Sequence, residues 1–323
     1  MPGYDAIVIG VGGMGSATVY HLAKRGLKVL GLEQFEIPHE LGSSHGHSRM
    51  IRYTLQEHPS YVPLVRRAYE LWHELEQSAR ATLMVTTGSV RAGPPDSDFY
   101  LGAIEACDMH QIPYEILGNT EVNKRFPGYQ FPDGISSVYQ ADGGFLLPEL
   151  CIVSHAQVAE EAGAEIHSGE MVLGWEVQGD DVQVRTNRDT YSSAKLVITA
   201  GAWAAKLVPH VAPYAVPERQ VLGWFKPDRP ELFTPENFPV FGIWTEEGRY
   251  YGFPNYSVPG FKIGRAHHLK QKVDPDDMDR EVHADDEEIL RGFTSRYFPL
   301  AAGDLLDTKT CIYTNTPDEQ FMI

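Results

Sequence analysis

The chain has 323 residues, of which 42% are hydrophobic and 22% charged, and a formal net charge of −17. This length suits two domains of ordinary size or one large interrupted domain, and the composition is that of a soluble globular protein rather than a disordered one. Strong acidity argues against nucleic acid or an anionic membrane as partner, and no apolar run approaches the ~18 residues needed to cross a bilayer, so a cytoplasmic protein with a small-molecule ligand is expected.

Tyr4-Asp5-Ala6-Ile7-Val8-Ile9 reads as a short buried strand that ends in the glycine turn Gly10-Val11-Gly12-Gly13-Met14-Gly15. From Ser16 to Arg25 small and apolar residues recur at helical spacing up to Gly26, and Lys28-Val29-Leu30-Gly31-Leu32 then forms a second buried strand closed by Glu33. The unit is β-α-β. Residues 60 to 80 read as an amphipathic helix, with further helices near 98 to 108 and 149 to 162. Glu165-Ile166-His167 and the run from Leu196 to Trp203 look like a return to the first unit, the second run as a buried strand entering a glycine turn. Residues 86 to 145 mix short β-like runs with turns and suggest an inserted domain, while 216 to 312, rich in aromatics and prolines, suggest a mostly antiparallel sheet.

The glycine fingerprint carries the first chemistry. Gly10 permits the turn, Gly12 lets the backbone approach a pyrophosphate, Gly15 lets helix pack on strand, and Glu33 can accept from ribose hydroxyls. The motif itself leaves FAD and NAD open, and its N-terminal position only leans toward FAD.

The segment Gly42-Ser43-Ser44-His45-Gly46-His47-Ser48-Arg49-Met50-Ile51-Arg52-Tyr53, taken with that fingerprint, resembles the sarcosine oxidase family. Further resemblances are Tyr61-Val62-Pro63-Leu64, Asn123-Lys124-Arg125-Phe126-Pro127-Gly128, Arg219-Gln220-Val221, Tyr250-Tyr251-Gly252-Phe253-Pro254, Lys262-Ile263-Gly264 and Cys311-Ile312-Tyr313-Thr314. The resemblance implies an α/β fold in which an FAD-binding Rossmann-type domain (1–85 and 146–215) is interleaved with an antiparallel-sheet substrate domain (86–145 and 216–310), followed by a flavin-attachment segment at 311–323. It implies a monomer that oxidises a secondary amine of an N-methyl amino acid to an imine, with oxygen reduced to hydrogen peroxide. Another amine, such as N-methyltryptophan, pipecolate or a glycated amino acid, stays open, since residues outside the motifs decide pocket size.

Residue roles follow from the same resemblance. Cys311 matches the cysteine that bonds covalently to the flavin 8α-methyl carbon, whereas Cys107 and Cys151 read as structural; three widely spaced cysteines support neither a disulfide framework nor a zinc ribbon. Ser43 and His45 fall on the cofactor side, and Arg49 matches a residue packed near the flavin ring. Arg52 matches the arginine that pairs with the substrate carboxylate. Lys262 matches a lysine beneath the flavin that promotes its reaction with oxygen. Tyr251 and Tyr313 match tyrosines lining the substrate pocket. His267 is the expected active-site histidine with His268 as the alternative, and no third ligand accompanies the pair, so no metal is expected. The family pattern continues past Ile323 with a further strand and helix carrying a Gly-His-Gly-Phe-Lys motif, so a C-terminally truncated member is expected, and a flavin-binding protein without activity stays open beside the enzyme.

Overall fold

The computed structural model describes residues 3–322. Strand Tyr4–Ile9 lies at the centre of a six-stranded sheet, parallel to Thr190–Ile198 on one side and to Val29–Leu32 on the other, with Glu165–His167 parallel beyond the latter. Ile7, Val8, Val29 and Leu30 have no exposed surface, as the continuous apolar runs require of strands covered on both faces. An antiparallel hairpin, Val172–Gln178 with Asp181–Thr186, extends the sheet past Thr190–Ile198 and has no counterpart in the sequence reading. Its alternate residues Leu173, Trp175 and Val177 are exposed, so it lacks the buried apolar pattern that marks the central strands. Helix Gly13–Ala23 packs on this sheet and against helix Pro148–Glu161. It begins earlier than the expected Ser16, because Gly13 to Gly15 already belong to its first turn. Among the described residues no helix is long and apolar enough to cross a membrane.

An eight-stranded sheet runs in the order Leu305–Asn315, Val216–Phe225, Phe261–Arg265, Gly248–Phe253, Val240–Thr245, Ser89–Gly93, Ser136–Gln140 and Glu115–Gly118. All its pairings are antiparallel except that of Val240–Thr245 with Ser89–Gly93. Side chains alternate between the two faces with period two. Val90, Ala92, Phe241, Ile243, Tyr250, Phe261 and Ile263 turn to one face and meet Leu290, Phe293 and Tyr297 of helix Ala284–Tyr297, together with Phe233, Phe238 and Phe298. Each buried Val, Ile, Leu or Phe side chain contributes ~1.5–3 kcal/mol, so this aromatic core holds the sheet against its helix. The other face carries Arg91, Tyr251, Lys262, Cys311 and Tyr313. It is met by a small sheet in which Arg49–Ile51 and Met84–Thr86 both pair with Gly144–Leu146.

Candidate active site

The nucleotide side of the site is a cleft of about 300 Å³ lined by Gly10 to Met14, Leu32, Glu33, Gly42 to Ser44, Thr199 to Trp203 and Asp276. Gly10 has φ +91°, and a Cβ on Gly15 would lie 1.7 Å from the Gly10 carbonyl oxygen, so turn and helix touch backbone to backbone. The helix N-terminus carries no side-chain cap, and at Gly13 the one added partner is the Ser44 hydroxyl, which accepts from the Gly13 N–H at 3.2 Å. Free N–H groups therefore point into the cleft where a pyrophosphate is expected. The Glu33 carboxylate accepts from the N–H groups of Val11 (2.8 Å) and Phe35 (3.1 Å), which fixes it at the strand end.

Cys311 brings the cleft and the eight-stranded sheet together. It is 1% exposed, its Sγ lies 3.8 Å from the Ser43 carbonyl, and Ser43 lines the cleft. Arg49 donates to the carbonyls of Ser43 (2.6 Å) and His45 (3.1 Å) and lies within electrostatic reach of Cys311, Tyr313 and Tyr251. His45 is 1% exposed and neither ring nitrogen has a partner; burial, then repulsion from Arg49, lowers its pKa to about 4. An uncapped helix end, a buried thiol at the cleft and an imidazole with two orphaned nitrogens fit FAD, whose ring would reach from the cleft toward Cys311.

Register places the remaining candidates on a single sheet face. Arg91, Gly242, Tyr251 and Gly264 stand opposite one another across four strands, and Lys262, Cys311 and Tyr313 share their parity. Lys262 is 3% exposed and donates to the Gly46 carbonyl (2.6 Å), the Ser48 carbonyl (3.0 Å) and the Ser48 hydroxyl (2.8 Å). Those acceptors use all the protons of an ammonium, yet none is charged. Burial, then Arg49, pushes the pKa of this lysine well down. The Tyr313 and Tyr251 hydroxyls are hydrogen-bonded at 2.8 Å; burial pushes Tyr313 up to about 12 and Tyr251 well above its ordinary value.

Arg49 and Arg52 have different partners. The chain is extended through Arg49–Ile51, so residues three apart point to opposite sides. Arg52 instead donates to Gln56 Oε1 (3.0 Å) and Glu57 Oε1 (2.8 Å), and its Nε is buried without a partner. The two histidines also separate. His267 Nδ1 lies 3.2 Å from Glu218 Oε1, and Glu218 stands opposite Tyr313, whereas His268 is buried with Nε2 2.8 Å from Asp286, which is clamped by both Nη atoms of Arg219. His268 is thus committed to a structural ion-pair network. Sequence reading missed Gln56, Glu57, Arg91, Gly242 and Glu149, which accepts from the N–H groups of Gly46 (2.7 Å) and His47 (3.0 Å). None sits in a local motif; only Gln56 and Glu57, four and five residues after Arg52 in the chain, were within range of a spacing argument.

The sequence profile described as FAD dependent oxidoreductase matches residues 5–323. The monomeric sarcosine oxidase of Streptomyces avermitilis is 40% identical over 327 residues, covering 100% of this chain and 85% of that protein. The N-methyl-L-tryptophan oxidase of Salmonella heidelberg is 35% identical, covering 99% of this chain and 85% of that protein. Among solved structures, NikD, an unusual amino acid oxidase essential for nikkomycin biosynthesis, superposes with a TM-score of 0.85 at 24% identity, over 98% of this chain and 83% of that one, which speaks to the fold. The glycine fingerprint, the cleft and these full-chain similarities lead to one assignment: the chain belongs to the FAD dependent oxidoreductase family, among the relatives of monomeric sarcosine oxidase.

Proposed function

We propose that the protein oxidises the secondary amine of an N-methyl amino acid to an imine and passes the two electrons to oxygen, giving hydrogen peroxide. The observation that carries this reading is the single sheet face on which Tyr251, Lys262, Cys311 and Tyr313 meet the Arg49 segment at the mouth of the nucleotide cleft. FAD, when bound, supplies the two-electron chemistry; the protein supplies position and electrostatics. Arg52 receives the substrate carboxylate, its free Nε and its fork offering bidentate pairing beside Glu57. Tyr251 and Tyr313, kept protonated by burial, border the substrate space, and His267 borders it from Glu218. Arg49 keeps positive charge beside Cys311. Lys262 holds a cation where oxygen gains negative charge.

We further propose that the flavin is bonded through Cys311, supported by the burial of its thiol beside Ser43 and by the unpartnered His45 ring next to the same loop. Residues 1–85 and 146–215 serve as the flavin-binding part, and 86–145 with 216–310 as its roof. Adding sarcosine or N-methyl-L-alanine to the flavin-loaded protein and following peroxide release tests the function. Absence of peroxide with every secondary amino acid overturns it.

A further inference from the structure

Resting on the oxidase reading above, we infer that the preferred substrate carries a second acidic group, and that Arg91 receives it. Arg91 is 4% exposed and projects from Ser89–Gly93 onto the face that carries Tyr251, in register with it through Gly242. A Cβ on Gly242 would lie 1.7 Å from Arg91 Nη1, so the guanidinium occupies the space that any side chain at 242 would take, toward Tyr251. From behind, it stacks on Phe99 at 4.3 Å, and Phe99 stacks in turn on Trp244 at 4.2 Å.

The charges around Arg91 do not balance. Its hydrogen-bond acceptors are neutral, Gln56 Oε1 at 2.7 Å and Met50 Sδ at 3.8 Å, and its Nε is buried without a partner. Arg52 donates to the same Gln56 oxygen and takes the Glu57 carboxylate as its ion-pair partner. Among the described residues no carboxylate lies within ion-pair distance of Arg91. Two guanidinium groups thus share one carboxylate, and burial, then the charge of Arg52, pushes the Arg91 pKa well down, with Glu57 opposing. A buried cation without a counter-charge is costly, and an anionic ligand removes that cost.

The two forks lie side by side, joined through one Gln56 oxygen, so their anions belong on one small molecule. An N-methyl dicarboxylic amino acid with a short side chain, such as N-methyl-L-aspartate or N-methyl-L-glutamate, meets this requirement: its α-carboxylate pairs with Arg52 and its side-chain carboxylate with Arg91. A monocarboxylic substrate on Arg52 balances the summed charge of the two guanidinium groups but leaves Arg91 with neutral acceptors alone, Gln56 and Met50.

The test uses the flavin-loaded protein with two readouts. Calorimetric binding compares glutarate with butyrate, and peroxide release compares N-methyl-L-glutamate with N-methyl-L-alanine. One charge-assisted pair predicts a preference for the diacid of about 10- to 100-fold in both. Arg91→Met should bring the diacid-to-monoacid ratio to about one, and Gly242→Ala, which displaces the guanidinium while keeping its charge, should reduce the ratio in the same direction. Equal affinities in the unmutated protein, or a preference that survives both substitutions, overturn the assignment. Oxidation of monocarboxylic amines without any diacid preference removes Arg91 alone. Diacid binding that depends on Arg91, with no peroxide from any amine, upholds the anion site and removes the oxidase reading.

Discussion

Lys262 Nζ lies 2.6 Å from the carbonyl oxygen of Gly46, and this bond ties the loop that carries His45 and Arg49 to the sheet above it. A Cβ on Gly46, which has φ +95°, would lie 2.8 Å from Leu222 Cδ1, so loop and sheet are in direct contact. The cation is therefore held by a rigid cradle, which is the condition for electrostatic stabilisation without reorganisation.

Lys262→Met should slow reoxidation by about 10²–10³-fold while leaving reduction by the amine nearly unchanged, because only the oxygen step develops negative charge near Nζ. Stopped-flow separates the steps: anaerobic bleaching by substrate, then recolouring in air. Loss of bleaching with normal recolouring would place Lys262 in the substrate site instead. Since burial and Arg49 lower the lysine's pKa, the charged form is lost as pH rises, and reoxidation in the unmutated protein should decline in that direction.

Cys311→Ser should yield a folded protein that releases its flavin on acid precipitation, because the hydroxyl cannot replace the thiolate as nucleophile. Mass spectrometry of the intact chain reads the result directly. A flavin mass still attached to the variant removes Cys311 as the attachment point.

Arg52→Ala should raise KM for N-methyl amino acids about 10- to 100-fold, the worth of a charge-assisted pair, with a smaller effect on flavin loading. Steady-state peroxide release alongside flavin absorbance checks both. An unchanged KM would assign the carboxylate elsewhere.

Asp286→Asn should cost about 3–5 kcal/mol of stability by urea unfolding, since Arg219 is 3% exposed and would be left charged and buried. Burial opposes ionisation of Asp286, yet hydrogen bonds from Arg219, the His283 backbone and His268 hold its pKa down to about 2. Replacing Arg219 and Asp286 together by apolar residues should recover most of the loss, which a purely local disruption would not.

His155 predicts an acid limb to stability. It is 5% exposed, packed among Tyr20, Trp72 and His21, and burial, then His21, lowers its pKa to about 4. Between that value and the unfolded pKa of about 6.5, the unfolded chain binds the proton and the native chain does not, so stability falls as pH drops through this window. From about pH 7.5 to pH 5 this one group removes about 2 kcal/mol. His155→Leu should shrink the difference between melting temperatures at those two pH values, and an unchanged difference would point to other groups.

What the sequence determined by itself were the features written in local, short-range terms. The β-α-β unit, the helix Val62–Ala79 and the glycine turn follow from apolar periodicity and from conformations that only glycine accepts cheaply. The Gly42 to Tyr53 segment was recognisable as a motif, and so were Lys262 and Cys311 in theirs. What the tertiary structure alone decided was which side chains face each other. Strand register put Arg91 beside Gly242 and Tyr251, and an extended chain turned Arg49 and Arg52 in opposite directions. Likewise, the tertiary structure turned His268 to Asp286 and His267 to Glu218, although the two are adjacent in sequence. The physical reason is that pairing between strands distant in sequence is set by the total burial of an eight-stranded sheet, and a shift of one residue would exchange its aromatic face for its charged one.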